Sequence, residues 1–261
     1  MRTRGSTPAG RQQLIAEHVV QKRSASIADL AGLCQVSEMT IYRDVEELER
    51  QGVVRKVRGA VTAQPSGVFE SNVAYRLASM RAEKDAVARR ARVFVEPGMS
   101  VLLDDATSTL ALARLLEDVE PLTVATNYLE TMKLVSGFRG THLIALGGDY
   151  DPTHDSFLGV PCVDAIEALR VDAVFVSVSS VSGGHAYHQQ QHVVAVKRAM
   201  LRSARRRFLL VDHSKIGRDA LYQLAPLTTF ERVIVDDGAP AGSLAELGKH
   251  GVAYEVAPLP G

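Results

Sequence analysis

The chain has no tryptophan, only 5% aromatic residues and just two cysteines in 261 residues. Two thiols are too few for a disulfide framework. Cys34 and Cys162 lie among apolar neighbours in stretches that read as different domains, so buried free thiols in a reducing cytoplasm are expected. No run of about 18 apolar residues occurs, so no membrane span is expected. Met1 to Gly10 carries arginines without an apolar core. It reads as a frayed tail, not a secretory leader. Low-complexity tracts and fixed-period repeats are absent as well, which sets aside solenoids and propellers.

What remains is a chain 46% hydrophobic and 23% charged, a globular composition. Its formal net charge is zero, but the charge is unevenly placed. Residues 1–92 hold 16 Lys/Arg against 10 Asp/Glu, and residues 93–261 hold 14 against 20. A basic first third on an acidic body suits a small DNA-binding module joined to something else.

That first third has the matching pattern. Arg11–Lys22, Ser26–Cys34 and Ser37–Gln51 read as three helices, with Gly52 closing the third. Ser26 with Asp29 three residues later is a capping-box pattern, and Ser37 is placed to cap the next helix. Ile41, Val45 and Leu48 share one helical face; Thr40, Tyr42 and Arg43 lie opposite, with side chains suited to phosphates and base edges. Only Gln35-Val36 separates the second and third helices, which implies a helix-turn-helix with Ser37–Gln51 as the recognition helix. Ser37, Met39, Thr40, Tyr42 and Arg43 are its candidate DNA contacts. Two short β-prone runs around Arg58-Gly59 follow and predict a basic wing that meets DNA through Arg55, Lys56, Arg58 and Gly59, with the basic side chains along the backbone or one of them in the minor groove.

Gln64-Pro65-Ser66-Gly67 marks a domain boundary. The expected organisation is a winged helix-turn-helix over residues 8–64, a linker or arm helix over 65–96 and an effector domain over 97–258. From Pro97 onward, β-rich runs alternate with helical ones. Strands are expected at Ser100–Leu103, Leu122–Thr126, His142–Leu146, Ala173–Val178, Phe208–Asp212, Arg232–Val235 and Val252–Val256. Such alternation implies an α/β domain with a mostly parallel sheet.

In such a sheet, ligands bind where strand ends lead into helices. Asp104-Asp105-Ala106-Thr107-Ser108, Thr126-Asn127 and Asp212-His213-Ser214-Lys215 occupy three such junctions, with Gly147-Gly148 at a fourth. Helix-start hydroxyls and Lys215 suit an anion, Asp104 suits sugar hydroxyls, and the glycines allow close backbone approach. Each of these also has an ordinary reading as a cap or a turn. Together they suggest a small anionic polyol. His185, His188 and His192 admit either a zinc site or a polar loop over the pocket; the loop is favoured, and neither metal nor other cofactor is expected.

In order along the chain, these motifs resemble the DeoR family of bacterial transcriptional regulators. The motifs are Thr40-Ile41-Tyr42-Arg43-Asp44, Arg58-Gly59-Ala60, Asp104 with Thr107-Ser108, Thr126-Asn127, Gly147-Gly148, Phe157-Leu158-Gly159, Lys197-Arg198-Ala199-Met200 and Asp212-His213-Ser214-Lys215 with Gly217. The resemblance implies a C-terminal domain similar to ribose-5-phosphate isomerase and glucosamine-6-phosphate deaminase. It implies a repressor of carbohydrate-metabolism genes, relieved when that domain binds a phosphorylated sugar or related metabolite. Its partners are then operator DNA, this effector and a second copy or more of the chain, with no membrane. The alternative is a sugar-phosphate isomerase or deaminase with an accessory DNA-binding domain. The chain departs from the family pattern where Ala106 replaces a glycine, Ser108 a threonine, Ser177 and Ser180 glycines, and Val193 an acidic residue. These departures leave the effector's identity open.

Overall fold

The computed structural model describes residues 7–63, 73–218 and 220–259. The chain divides into two compact units, Met1–Ser79 and Met80–Gly261. The Gln64-Pro65-Ser66-Gly67 turn lies outside the described residues.

The first unit opens with α1 (Pro8–Lys22), which begins three residues earlier than the sequence suggests. Pro8 stands in the first turn, where a missing N–H costs nothing, and Thr7 accepts a bond from the Gly10 N–H at 3.2 Å. A short strand β1 (Ser24–Ser26) then leads into α2 (Ile27–Cys34) and α3 (Glu38–Arg50). The capping box at Ser26 and Asp29 forms with both of its bonds. Gly52, at φ 71°, reverses the chain after α3 and lets the Val53 N–H reach the Leu48 carbonyl at 2.9 Å. The wing is β2 (Val54–Val57) antiparallel to β3 (Ala60–Ala63), and β1 adds a third strand beside β3. Ile15, Val19, Leu30, Ile41, Val45, Leu48, Val54 and Val61 are buried together as the core of this unit.

The sequence suggests one linker or arm helix over residues 65–96. The described part is two helices, α4 (Val73–Ala78) and α5 (Arg81–Arg92), broken where Met80 takes φ 53°. Ala86, Val87, Ala88 and Ala91 bury one face of α5 in the core of the second unit. Its charged character is therefore only partly a solvated face, since Glu83 and Lys84 are also buried.

The second unit is built on a seven-stranded sheet, all of whose neighbouring pairs are parallel. In chain order its elements are β4 (Ser100–Leu103), α6 (Thr107–Ala113), β5 (Leu122–Thr126), α7 (Leu129–Val135) and β6 (Thr141–Ala145). A hairpin, β7 (Asp149–Asp151) with β8 (Ser156–Leu158), precedes α8 (Gly159–Glu167) and β9 (Val171–Val176). Next come β10 (Ser180–Ser182), β11 (His185–His188), α9 (Gln191–Ser203), β12 (Ala204–Val211) and β13 (Tyr222–Pro226). The chain finishes with β14 (Arg232–Asp236), α10 (Ala241–Lys249) and β15 (Tyr254–Ala257). The order across the sheet is β15-β14-β12-β9-β4-β5-β6.

Both faces of this sheet are covered, as its apolar strands require. Val101, Leu103, Phe175, Phe208 and Leu210 pack with α5 and α6, while Leu102, Val174, Val176, Leu209 and Val211 pack with α8 and α9. Phe208 stacks on Phe175 at 4.8 Å and on Phe94 at 4.7 Å. Among the described residues no helix is long and apolar enough to cross a membrane.

Candidate effector site and nucleic-acid interface

From β4 the chain steps outward to β5 and β6, then returns to place β9 on the other flank of β4. The carboxyl ends of β4 and β9 therefore sit side by side at a topological switch point, where open α/β sheets bind ligands. Asp104 follows β4 directly, and its N–H donates to the Phe175 carbonyl at 3.3 Å. Its side chain is fully buried. Oδ1 accepts from the Ala106 N–H at 3.2 Å and the Thr109 hydroxyl at 2.9 Å. Oδ2 accepts from the Ser177 N–H at 2.8 Å and from Lys197 Nζ at 2.5 Å.

Lys197 comes from the middle of α9 and is only 2% exposed. Its ammonium also donates to Asp105 Oδ1 at 2.9 Å, and the Ser156 hydroxyl donates to Asp105 Oδ2 at 2.9 Å. Two carboxylates thus share one buried cation. Burial, with the Asp105 charge adding to it, pushes the Asp104 carboxyl upward despite Lys197. Burial alone disfavours the ammonium, but the two carboxylates outweigh it and raise Lys197.

The β7–β8 hairpin folds onto this cluster. Buried His154 places Nδ1 4.0 Å from Asp105 Oδ2 and Nε2 2.5 Å from Gln190 Oε1. Gln190 donates its N–H to His188 Nδ1 at 3.2 Å, and the His154 and His188 rings lie 5.8 Å apart. Asn127, at the end of β5, holds the hairpin from the other side. Its Nδ2 donates to the Phe157 carbonyl and its own carbonyl accepts from the Phe157 N–H, both at 2.9 Å. Asn127 Oδ1 is buried and has no hydrogen-bond partner among the described residues, an expensive position for a polar atom.

The sequence places several of these residues correctly at strand ends, yet their chemistry differs from expectation. The sequence suggests Asp104 as an acceptor for sugar hydroxyls, but its lone pairs are already taken by four donors of this chain. Ala106 has φ −99°, so the loop does not call for glycine there. Thr107 and Ser108 open α6 as expected and are nearly buried. Thr126 turns its hydroxyl back to accept from the Tyr128 N–H at 3.1 Å. The sequence suggests that Gly148 allows close approach to a ligand. At φ 151° it approaches its own chain, since an added Cβ would lie 2.3 Å from the Leu158 carbonyl; Gly147 alone faces open space. Lys215 ends a single 3₁₀ turn after β12, two strands from β4, where its charge helps hold Asp212 below the usual carboxylate range against burial.

The sequence suggests a polar loop or a zinc site for His185 and His188. They lie on β11, between β10 and β13, and His192 lies on α9 facing Asp151 at 3.5 Å. Among the described residues no group of three or more potential ligands is arranged to hold a metal. Cys162 is buried and its thiol is pushed up to about 12, first by burial and then by Asp105. Lys197, Ser156, His154 and Ser177 also belong to the site, although the sequence pattern does not single them out for it.

In the first unit, Met39, Tyr42 and Arg43 are exposed on α3, with Met39 at 64% and Tyr42 at 45%. Ser37 and Thr40 are engaged with each other in the cap, their hydroxyls 3.0 Å apart. On the wing, Arg55, Arg58 and Gly59 are exposed. Lys56 is not presented in the same way. Its Nζ lies 3.4 Å from both Glu46 and Glu49 of α3, and its N–H donates to Glu49 Oε1 at 2.7 Å.

The model for the DeoR C-terminal sensor domain matches residues 79–237, and that for the DeoR-like helix-turn-helix domain matches residues 11–66. The chain belongs to the DeoR family of transcriptional regulators. It is 34% identical to an uncharacterized HTH-type transcriptional regulator, YgbI, of Escherichia coli (strain K12), over 96% of this chain and 98% of that protein. It is 28% identical to the glycerol-3-phosphate regulon repressor of the same strain, over 93% of this chain and 96% of that one. Among solved structures, ribose 5-phosphate isomerase A of Methanocaldococcus jannaschii aligns with a TM-score of 0.38 at 17% identity, covering 51% of this chain and 53% of that one.

Proposed function

We propose that this DeoR-family regulator is a repressor of carbohydrate-metabolism genes, binding operator DNA as a homodimer or higher oligomer and released by a phosphorylated sugar. Tyr42, Arg43 and Met39 enter the groove, with Arg55, Arg58 and Gly59 along the backbone. The effector lies across the carboxyl edge of the sheet. Its hydroxyls meet Asn127, Thr107 and Ser108, and its phosphate meets Lys215. The β12 and β4 strand ends are separated by two inter-strand spacings, roughly 10 Å, a length that a phosphorylated sugar spans.

The observation that carries this reading is the buried, unpartnered Asn127 Oδ1 beside a satisfied Asp104–Lys197–Asp105 cluster. A ligand hydroxyl gives that oxygen its missing donor. The same cluster argues against an isomerase or deaminase. A general base needs a lone pair free to take a proton, and those of Asp104 are occupied.

The test is fluorescence anisotropy on duplex DNA from upstream of the gene, at stated salt, with a panel of sugar phosphates. Specific binding released by one compound supports the reading. Specific binding unmoved by the whole panel overturns the effector assignment, and turnover of ribose 5-phosphate or glucosamine 6-phosphate overturns the non-enzymatic one.

A further inference from the structure

The recognition helix is acidic for an element that meets a polyanion. Along α3 stand Glu38, Asp44, Glu46, Glu47 and Glu49. Four of the five are matched within the same unit. Glu47 is paired with Arg50 one turn on, at 2.6 Å. Asp44 lies on the buried face with Ile41 and Val45, 4% exposed. There it accepts from Arg11 Nε at 2.5 Å and Arg11 Nη2 at 3.3 Å, and from Gln12 Nε2 at 3.2 Å. Glu46 and Glu49 face Lys56 of the wing.

We propose that Arg11 and Lys56 are positioning residues, fixing the pose of the recognition helix against α1 and against the wing, and that neither touches DNA. The inference rests on the reading of α3 as the helix that enters the groove. The Arg11 side chain is only 11% exposed, and it makes two hydrogen bonds to one buried carboxylate. Removing either partner strands a charge in the interior. Lys56 shares the inner face of β2 with buried Val54, whereas Arg55 and Val57 alternate outward. Main chain and side chain of Lys56 both end on α3, so this one residue ties strand to helix. A phosphate drawn to Lys56 would also meet Glu46 and Glu49, which cancel the attraction. The wing's phosphate contacts therefore fall to Arg55 and Arg58, and the basic excess of the first third overstates the charge that DNA meets.

The test uses the full chain and two duplexes, one from upstream of its own gene and one a scramble of equal composition, titrated across a salt series. For Lys56→Gln, the expected result is an unchanged slope of log K against log salt on both duplexes. Affinity for the upstream duplex falls about fivefold, equivalent to ~1 kcal/mol, while the scramble is little affected. A slope shallower by about 0.9, with equal loss on both duplexes, makes Lys56 a phosphate ligand and overturns the proposal. For Arg11→Gln the expected loss on the upstream duplex is about tenfold or more at constant slope, with Arg11→Lys recovering most of it.

Should Arg11→Gln fail to fold, Glu49→Ala carries the test on a half-exposed surface. Charge alone predicts tighter binding once an anion facing DNA is removed and Lys56 is freed. The brace predicts weaker binding to the upstream duplex, and tighter binding to both duplexes overturns it. If the parent protein does not distinguish the duplexes, the operator reading fails for that DNA, while the slope on the scramble still decides the role of Lys56.

Discussion

Lys197 and Asp104 are 93 residues apart in the chain and form a fully buried ion pair that joins the middle of α9 to the end of β4. The same ammonium reaches Asp105, so one cation balances two carboxylates inside the protein.

Lys197→Met leaves both aspartates without their cation. Breaking a buried pair from one side costs about 3–5 kcal/mol, so the sensor unit should lose that much in urea-unfolding experiments. The double variant Lys197→Met/Asp104→Asn should lose less than Lys197→Met alone. An equal or larger loss would mean that the pair is not coupled.

Asn127→Ala removes the orphan acceptor. The expected outcome is at least a tenfold loss of effector affinity, about 1.4 kcal/mol, measured by calorimetry with the active sugar phosphate. DNA affinity should stay within a factor of about two, well inside 1 kcal/mol. Retained effector affinity would remove Asn127 from the site.

His213 donates through its backbone N–H to Asp236 Oδ1 at 2.7 Å, and its ring Nδ1 lies 2.6 Å from Asp236 Oδ2. The bond to Asp236 raises the imidazole above its ordinary value of 6.5, against the opposing effect of burial. A raised cationic group contributes stability that is complete below its unfolded pKa and is lost as pH rises through the folded one. The stability difference between the parent and His213→Gln should therefore be at its full value below the ordinary histidine value of about 6.5 and shrink as pH rises above it. Chemical denaturation at a series of pH values measures it; a difference that grows with pH would contradict the assignment.

Arg43→Ala should weaken binding to both specific and scrambled DNA and flatten the salt dependence by about 0.9 if Arg43 grips one phosphate. A loss confined to the specific duplex at unchanged slope would instead assign Arg43 to base edges. In either case the melting temperature should hold, because the side chain is exposed and has no role in the core.

Strands Ser100–Leu103 and Leu122–Thr126 were legible to the residue because each is a short buried apolar run that ends in polar loop residues. The recognition helix was legible from its cap and the spacing of Ile41, Val45 and Leu48. Less visible were the strands β7, β8, β10, β11 and β13, which are short and rich in Ser, His, Asp and Tyr, so that their pairing is set by tertiary context. His185–His188 does alternate in burial, but the polar run from His185 to His192 favours a loop in the sequence. The sequence marks Lys197 only as a family motif residue, because a helical lysine ordinarily faces water. The available signal was its neighbourhood, since Val193, Val194, Val196 and Met200 put it on an apolar face. Asp44 offered the same clue between Ile41 and Val45. A charged residue on the buried face of an amphipathic helix predicts a partner, but it does not say which distant side chain provides it.

The switch-point order also bears on how the chain assembles during synthesis. When β4, β5 and β6 have emerged they can form half a sheet, but β4 pairs on its other flank only with β9, where Val101 meets Ala173. Until β9 is made, β4, an interior strand of the finished sheet, is an exposed apolar edge, open to pairing with other nascent chains. Fragments that stop short of β9 should aggregate, whereas the helix-turn-helix, with its own core, is complete long before.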